Sequence, residues 1–389
     1  MSVRSGQRPD LPASSSDSTL ESLITGLWED QFGFSPIGLQ DDFFQLGGNS
    51  LHAARLVAKI RALTGRDLPI ESFLSAPTIE RLALLMRAGD TVSSSTLVIL
   101  REGTRERPLF IAHSLSGTLL ELWALVREMD CPCAIYGIQG RGLREGEVPN
   151  SRVEDMAADY IEQIRSVQPH GPYALAGFSM GGLIALEIAQ QLLQCGETVE
   201  LVALLDTQLD EQCLTFQDWL LHQRRRAELE LGEIRARSWR QRGGYILVKA
   251  GHFADRLRVV AGKAPKRSSV DEQQLRGVFS LSPRQRRIIL ALRVAMAAYR
   301  PKTYSGKVIF FHATIPNPRW PDPLRVWKGV CRELEVVEVP VGHSDLILPP
   351  SVGYVANTLD RLLAIKNQSG SELQRKPNVG DKLAHLLER

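Results

Sequence analysis

Apolar residues in the first part of the chain follow a helical period. From Thr19 to Arg87 they recur every three or four positions, as on one face of an amphipathic helix. Three groups illustrate the spacing: Leu20, Leu23, Ile24 and Leu27; Leu51, Ala54, Leu56 and Ile60; Ile79, Leu82 and Leu85. This segment is therefore predicted to form a small helical bundle.

After residue 96 the pattern changes to short apolar runs that alternate with longer amphipathic segments. Helices are predicted around residues 152–168, 180–194 and 351–365. Seven runs predict strands: "TLVIL", "PLFIAH", "CAIYGI", "PYALAGF", "TVELVALLD", "GKVIFFHAT" and "LEVVEVPV". This alternation is typical of a mostly parallel sheet with helices on both faces, so we predict an α/β fold here.

The strand pattern stops between Thr207 and Tyr299, where the chain is helical and charged. We predict that this insertion forms a lid over the sheet. The polar ends of the chain are predicted to be loose or disordered. The predicted divisions are a disordered leader at 1–17, a helical domain at 18–88, a linker at 89–96, a sheet domain at 97–365 with its lid at 207–299, and a polar tail at 366–389.

Composition and charge exclude several classes of protein. The formal net charge of +3 on 389 residues is too small to indicate a nucleic acid or a membrane surface as a partner. No stretch approaches 18 consecutive apolar residues and the first residues contain no apolar signal core, so we expect a cytoplasmic protein. Cys131 and Cys133 have no second pair at metal-ligand spacing. Free thiols without a metal are expected.

The stretch "DDFFQLGGNSL" places Ser50 at the start of a predicted helix. Gly47 and Gly48 break the chain just before the apolar stripe begins, so Ser50 lies at the helix N-terminal edge. Free N–H groups and the helix dipole at that edge favour a phosphodiester on the serine oxygen. The same residues are also compatible with a simple helix cap by Asn49 or Ser50.

Within the helical unit of residues 19–87, this stretch resembles the carrier domain of nonribosomal peptide synthetases. The resemblance implies that Ser50 bears a 4'-phosphopantetheine arm, added from coenzyme A by a separate phosphopantetheinyl transferase. The thiol of that arm would hold an acyl or peptidyl group as a thioester. Asn49 departs from the Asp or His that commonly stands there, but it is not the attachment point.

A second motif lies in "PYALAGFSMGGLIALEIAQQLLQCG", where an apolar strand enters the sequence from Gly177 to Gly181 and an apolar-faced helix leaves it. This is the sequence context of a nucleophile elbow. The two glycines allow a close approach of strand and helix backbones, and the strained turn presents the Ser179 hydroxyl above the sheet. Ser179 is therefore predicted to be a nucleophile.

The chain order of such sites, Ser, then an acid, then His, selects the partners of Ser179. Asp206 ends the next strand, in "LVALLD", and can orient an imidazole. His343, in "VPVGHSDLILPP", follows the last strand and can present its ring to Ser179. We therefore predict Asp206 as the acid and His343 as the base.

Four other residues compete for these two roles. His113 follows an early strand and is expected to shape the oxyanion loop, whereas His312 ends a strand and is expected to pack there. Asp210 lies in the predicted lid, and Asp345 is too close in sequence to His343 to orient it. The backbone N–H groups of Met180 and of one residue in "HSLSG", Leu115, are predicted to stabilise the oxyanion.

Residues 97–365 resemble the thioesterase domain that ends nonribosomal peptide synthetases, a member of the α/β-hydrolase superfamily. The resemblance assigns nucleophile, acid and base to Ser179, Asp206 and His343, and the lid to 207–299. One departure is "HSLSGT", where the family often has a proline and paired glycines. The segments that carry the resemblance are "PLFIAHSLSGTLLEL", "YALAGFSMGG", "LLDT", "AYRPKTYSGKVIFF" and "VGHSDLI".

Together the two resemblances predict a carrier-thioesterase didomain that releases a carrier-bound acyl or peptidyl group by hydrolysis or macrocyclisation. Alternatives are a proofreading thioesterase, transfer to an external amine or alcohol, and a non-catalytic acyl-carrier scaffold.

The chain shows no adenylation, condensation or ketosynthase segment, so upstream synthetase modules are expected to supply the substrate in trans, unless the sequence is a fragment. The initial methionine and Ser-rich leader favour a stand-alone chain. The acyl group, a peptide or polyketide pathway, and the oligomeric state stay open.

Overall fold

The computed structural model describes residues 15–48, 50–66, 68, 72–87, 95–144, 146–236, 283–317 and 320–364. The predicted tail at 366–389 and most of the predicted leader and linker lie outside these residues. In none of the described ranges does a helix have the length and apolar character needed to cross a membrane.

The first described region is a helical domain, as the apolar spacing predicts. Its helices are α1 (Ser15–Phe32), α2 (Ser50–Thr64), α3 (Ser72–Ser75) and α4 (Ile79–Arg87). They pack around an aromatic core in which the ring of Phe43 lies 5.2 Å from that of Trp28 and 4.6 Å from that of Phe73. Helix α1 begins at Ser15, within the predicted leader, because Ser and Asp in "SSDS" favour a helix start.

Seven strands of the described chain form one sheet in the order β1-β3-β2-β4-β5-β6-β7. β1 pairs antiparallel with β3, and every other neighbouring pair is parallel. The mostly parallel sheet that the sequence predicts is thus confirmed. The strands are β1 (Leu97–Arg101), β2 (Thr104–Ala112), β3 (Cys133–Ile138), β4 (Tyr173–Phe178), β5 (Val199–Leu205), β6 (Tyr304–Ala313) and β7 (Cys331–Val339).

Helices cover both faces of this sheet. Side chains alternate along β4, so that Leu175 packs with one helical layer whereas Ala174 and Ala176 pack with the other. The first layer contains α6 (Val153–Val167), α7 (Met180–Gln194) and α10 (Pro323–Val330), and the second contains α5 (Trp123–Glu128) and α11 (Val352–Ala364). The apolar pattern predicted α6, α7 and α11, but not the short helices α5 and α10.

The predicted lid lies between β5 and β6. Its described parts are a short 3-10 helix (Glu211–Cys213), α8 (Phe216–Ala236) and α9 (Pro283–Ala298), and residues 237–282 lie outside the described residues. Just after α9, the Tyr299 hydroxyl donates a 2.8 Å hydrogen bond to Glu187 on α7. This buried hydrogen bond fixes the end of the insertion to α7.

The helical domain contacts the sheet domain through aromatic side chains. The ring of Phe44, in the loop before α2, lies 4.6 Å from the ring of Trp123 at the start of α5. Phe44 is only 9% exposed. The contact brings the loop that leads to Ser50 against the sheet domain.

Candidate active site

The backbone around Ser179 has the geometry of a nucleophile elbow. Ser179 joins β4 to α7 with φ 55° and ψ −119°, a strained conformation for a residue with a side chain. A Cβ on Gly177 would overlap the backbone of Gly181, and a Cβ on Gly181 would overlap the carbonyl oxygen of Ala112. Glycine at these two positions is what allows the strand, the turn and the helix to approach so closely.

The structure brings Ser179, Asp206 and His343 together. The Nε2 atom of His343 lies 3.1 Å from the Ser179 Oγ, and its Nδ1 atom lies 2.7 Å from Oδ2 of Asp206. With the ring proton on Nδ1 donated to Asp206, Nε2 is free to accept the hydroxyl proton of Ser179. The three side chains therefore form a continuous hydrogen-bonded chain from Asp206 through His343 to Ser179.

Asp206 is held in place by the strand ends around it. It follows β5 with φ 43°, its N–H donates to Phe311, and its Oδ1 accepts from the N–H of Ala313 at 3.1 Å. Burial disfavours the carboxylate, but the imidazoles of His312 and His343 and the Ala313 N–H outweigh burial and lower the pKa of Asp206 to about 2. Asp206 therefore stays ionised at neutral pH beside the His343 ring.

Of the two competing acids, one caps a short helix and the other is exposed. Asp210 accepts a hydrogen bond from the Gln212 N–H at the start of the 3-10 helix in the insertion. Asp345 is exposed, in the turn after His343. His312 was expected only to pack at a strand end, but its Nδ1 lies 3.7 Å from Oδ1 of Asp206, where it helps to lower the pKa of that carboxyl group.

The His343 ring is also held by two aromatic side chains. Phe178 stacks on it with ring centroids 4.8 Å apart and planes 24° apart, and Trp320 meets it edge-on at 4.9 Å and 87°. Phe178 directly precedes Ser179 within the elbow, so one motif supplies both the predicted nucleophile and a support for the predicted base. The apolar periodicity offered no signal for Trp320, which lies in a loop after β6.

His113 shapes the loop after β2. The ring is fully buried, its Nδ1 lies 2.7 Å from the Ser114 carbonyl oxygen, and its Nε2 lies 3.0 Å from the Tyr160 hydroxyl. Burial lowers the pKa of His113 to about 4, so the ring is neutral near pH 7. A neutral ring can donate from Nδ1 to the carbonyl and accept from Tyr160 at Nε2.

The same loop carries one of the predicted oxyanion donors. The Ser114 carbonyl oxygen also accepts from the Gly117 N–H at 3.1 Å, and the Leu115 N–H points away from that carbonyl because the peptide is trans. Met180 is the first residue of α7, where backbone N–H groups have no partner within the helix. Among the described residues, neither of these two N–H groups donates to a protein acceptor. Both are thus available to a developing oxyanion.

A cavity of about 1000 Å³ opens beside Asp206 and His343. Helix α8 of the insertion supplies Leu221 and Leu229, and the loops after β6 supply Ile315 and Trp320. An ion pair of 2.6 Å between Asp218 on α8 and Arg325 on α10 joins the two sides of the cavity. The cavity has the size and the mainly apolar walls that suit a large acyl group.

The loop before α2 positions Ser50. Asp42 Oδ1 accepts from the N–H groups of Phe44 and Gln45 at 2.9 and 3.0 Å, and the Gly48 N–H donates to the Phe43 carbonyl. Gly47 has φ +90°, and a Cβ on Gly48 would overlap that carbonyl oxygen. These constraints explain the acidic and glycine residues of "DDFFQLGGNS". The backbone of Ser50 begins α2, where helix N–H groups favour a bound phosphate.

Comparison with known proteins assigns each domain to a family. Residues 22–86 match the family described as a phosphopantetheine attachment site, and residues 107–217 match the thioesterase domain family. A dimodular nonribosomal peptide synthase of Bacillus subtilis (strain 168) is 31% identical over 351 residues, or 87% of this chain. Malpinin synthetase of Mortierella alpina is 40% identical over 203 residues, or 51% of this chain. The chain spans only 14% and 3% of the lengths of these two relatives.

One solved structure is similar to most of this chain. The four-domain nonribosomal peptide synthetase holo-AB3403, bound to AMP and glycine, is 26% identical, with a TM-score of 0.52. The match covers 93% of this chain and 27% of that one. The chain therefore joins a carrier domain of the phosphopantetheine-attachment family to a sheet domain of the thioesterase family.

Proposed function

We propose that this chain releases an acyl or peptidyl group from a phosphopantetheine thioester by a Ser-His-Asp mechanism. The observation that carries the proposal is the hydrogen-bonded chain from Asp206 through His343 to Ser179, of which Asp206 and His343 line a cavity of about 1000 Å³. This arrangement provides a nucleophile, a base and space for the acyl group in one place.

The carrier domain would present the substrate. When bound at Ser50, a 4'-phosphopantetheine arm supplies a thiol that holds the acyl group as a thioester. The residues fit such a group, because the strained glycine loop ends at the first residue of α2 and leaves helix N–H groups for the phosphate. A phosphopantetheinyl transferase and upstream synthetase modules in the cytoplasm are the partners that this role requires.

In the first half of the reaction, His343 takes the Ser179 proton as the hydroxyl oxygen attacks the thioester carbonyl. Asp206 stabilises the imidazolium that forms, because it remains a carboxylate with its pKa near 2. The N–H groups of Met180 and Leu115 stabilise the oxyanion, and the loss of one such donor costs about 3 kcal/mol of transition-state stabilisation. His343 then returns the proton to the departing sulfur, which leaves an acyl ester on Ser179.

In the second half, His343 activates the nucleophile that removes the acyl group from Ser179. Water gives a free acid, an internal hydroxyl or amine gives a ring, and an external acceptor gives a transfer product. The cavity supports either of the first two outcomes, since it is large enough for a folded chain of several residues.

A soluble thioester tests this proposal without the carrier. The full chain is incubated with acyl N-acetylcysteamine thioesters, free thiol is followed with a chromogenic disulfide, and the products are identified by mass spectrometry. We expect turnover by the wild type and a loss of at least ~10³-fold in Ser179→Ala. A fluorophosphonate probe should label the wild type and not the variant. Turnover that is equal in both proteins would contradict the proposal.

A further inference from the structure

A carboxyl group outside the Ser-His-Asp chain is tied to the oxyanion loop, residues 113–118. Glu121 lies in the 3-10 helix Leu120–Leu122, directly after this loop. Its Oε1 accepts hydrogen bonds from the hydroxyls of Ser114 and Ser116, the latter at 2.8 Å. One carboxylate oxygen therefore joins the residues on either side of Leu115.

The two serine side chains pass this restraint on to the loop backbone. The Ser114 Oγ lies 3.4 Å from the Ser116 N–H, and the Ser116 Oγ accepts from the Thr118 N–H at 3.1 Å. The Ser114 carbonyl is held from its other side by His113 and by the Gly117 N–H. The peptide group between Ser114 and Leu115 is thus held at the Ser114 carbonyl by His113 and Gly117. The hydroxyls of Ser114 and Ser116 hold the loop on either side of Leu115.

The Glu121 carboxyl group lies in an environment that disfavours its charge. Burial raises the pKa of Glu121, while the hydroxyls of Ser114 and Ser116 and the charge of His343 act in the opposite direction. In the part of the chain that the structure describes, the side-chain partners of Glu121 are the two serine hydroxyls and not an arginine or a lysine. Two hydroxyls that require an acceptor supply the reason for its presence.

We infer that Glu121 is a positioning residue of the oxyanion hole, which holds Ser114 and Ser116 so that the Leu115 N–H stays directed at the reacting carbonyl oxygen. The inference depends on the proposed function and adds to it a residue that does not touch the substrate. It also accounts for "HSLSGT", in which two serines bonded to a remote carboxyl give the loop a fixed shape.

Steady-state kinetics of the full chain on a soluble thioester test this role. We expect Glu121→Ala to lower kcat by ~10- to 100-fold with KM within about twofold, because a displaced donor acts on the transition state and not on substrate binding. Glu121→Gln should stay within about threefold of the wild type, since its amide oxygen can accept from the same two hydroxyls. Glu128→Ala removes an exposed carboxylate at the end of α5 and should leave kcat unchanged.

A second variant keeps the test independent of folding defects in Glu121→Ala. The double change Ser114→Ala with Ser116→Ala should reproduce the loss in kcat, and adding Glu121→Ala to it should cost little more, because the three side chains act as one unit. The inference would be overturned if Glu121→Ala kept the wild-type kcat, or if Glu121→Gln lost as much kcat as Glu121→Ala. It would also be overturned if the triple variant lost kcat by the product of the losses in Glu121→Ala and in the double serine variant. An inactive wild type would instead overturn the proposed function itself.

Discussion

The Nε2 atom of His343 lies 3.1 Å from the Oγ of Ser179, although 164 positions separate the two residues in the chain. The sheet topology explains this proximity. Ser179 follows β4, Asp206 follows β5, and His343 follows β7, all in a run of parallel neighbours. The carboxyl ends of parallel strands meet at one edge, where loops of distant sequence can build a single site.

Replacing Asp206 by Asn tests the acid. The variant keeps the shape of the side chain but no longer stabilises the imidazolium, and it can favour the wrong tautomer of His343. We expect kcat on a soluble thioester to fall by about 10³- to 10⁴-fold, with little change in KM. The exposed Asp345 offers a matched control, and Asp345→Asn should retain the wild-type rate. A large loss in Asp345→Asn together with an active Asp206→Asn would reverse the assignment.

Replacing Gly181 by Ala tests the close approach at the elbow. The new Cβ would overlap the Ala112 carbonyl oxygen and lie 2.7 Å from that of His113, both of which belong to the backbone and cannot rotate away. We expect a lower thermal midpoint and a kcat reduced by at least ~10²-fold, as the elbow and the oxyanion loop move apart. Gly329, in α10, has nothing within 4 Å of its Cβ position. Gly329→Ala should therefore retain activity and stabilise the fold by about 0.5–1 kcal/mol.

The neutral, buried ring of His113 makes stability depend on pH. Its folded-state pKa of about 4 lies below the ordinary value of 6.5, so the unfolded chain binds the proton first as the pH falls. Stability that is complete above pH 6.5 should be lost progressively between pH 6.5 and 4, by about 3 kcal/mol in total. Urea denaturation at several pH values should show this loss in the wild type and a smaller one in His113→Gln. Parallel curves for the two proteins would contradict the prediction.

The contact between Phe44 and Trp123 should matter only for carrier-bound substrates. Trp123→Ala removes one ring of a pair whose interaction is worth about 0.5–1.5 kcal/mol, so release of an acyl group from the chain's own carrier should slow by ~3- to 10-fold. Hydrolysis of a soluble thioester should not change. Trp123→Phe retains an aromatic contact and should behave like the wild type in single-turnover assays. Equal slowing on both substrates in Trp123→Ala would show that the ring has another role.

The apolar runs and the short motifs were sufficient to predict the sheet domain and the three residues Ser179, Asp206 and His343, which lie side by side in the structure. Seven apolar runs became the seven strands of the described sheet. The signal is clearest in β3 and β4, because a strand buried at every position has a continuous apolar sequence. The glycines around Ser179 marked the elbow, since few other residues tolerate such a close backbone approach. The chain order of nucleophile, acid and base then singled out Asp206 and His343, which the structure places within hydrogen-bonding distance of each other.

Features that depend on contacts between distant segments were not predictable. The stacking of Phe178 and Trp320 on His343 and the proximity of His312 to Asp206 carry no periodic signal. The bonds of Glu121 to the oxyanion loop are local, but they depend on side-chain orientations that the apolar pattern does not encode. The helices α5 and α10 were missed because six and eight residues are too few to show a helical period. The disordered leader was predicted to extend to residue 17, whereas α1 begins at Ser15. Ser and Asp residues that start a helix are also common in disordered polar segments, so the sequence did not show this boundary.

Intact-protein mass spectrometry can separate the loading of Ser50 from the release of the acyl group by Ser179. The wild type, Ser50→Ala and Ser179→Ala are incubated with a phosphopantetheinyl transferase and an acyl-coenzyme A, and their masses are followed over time. We expect the wild type to gain the acylated arm and quickly lose the acyl group, Ser179→Ala to retain it, and Ser50→Ala to gain nothing. An unmodified Ser50 in the wild type, or release from Ser179→Ala as fast as from the wild type, would contradict the proposed function.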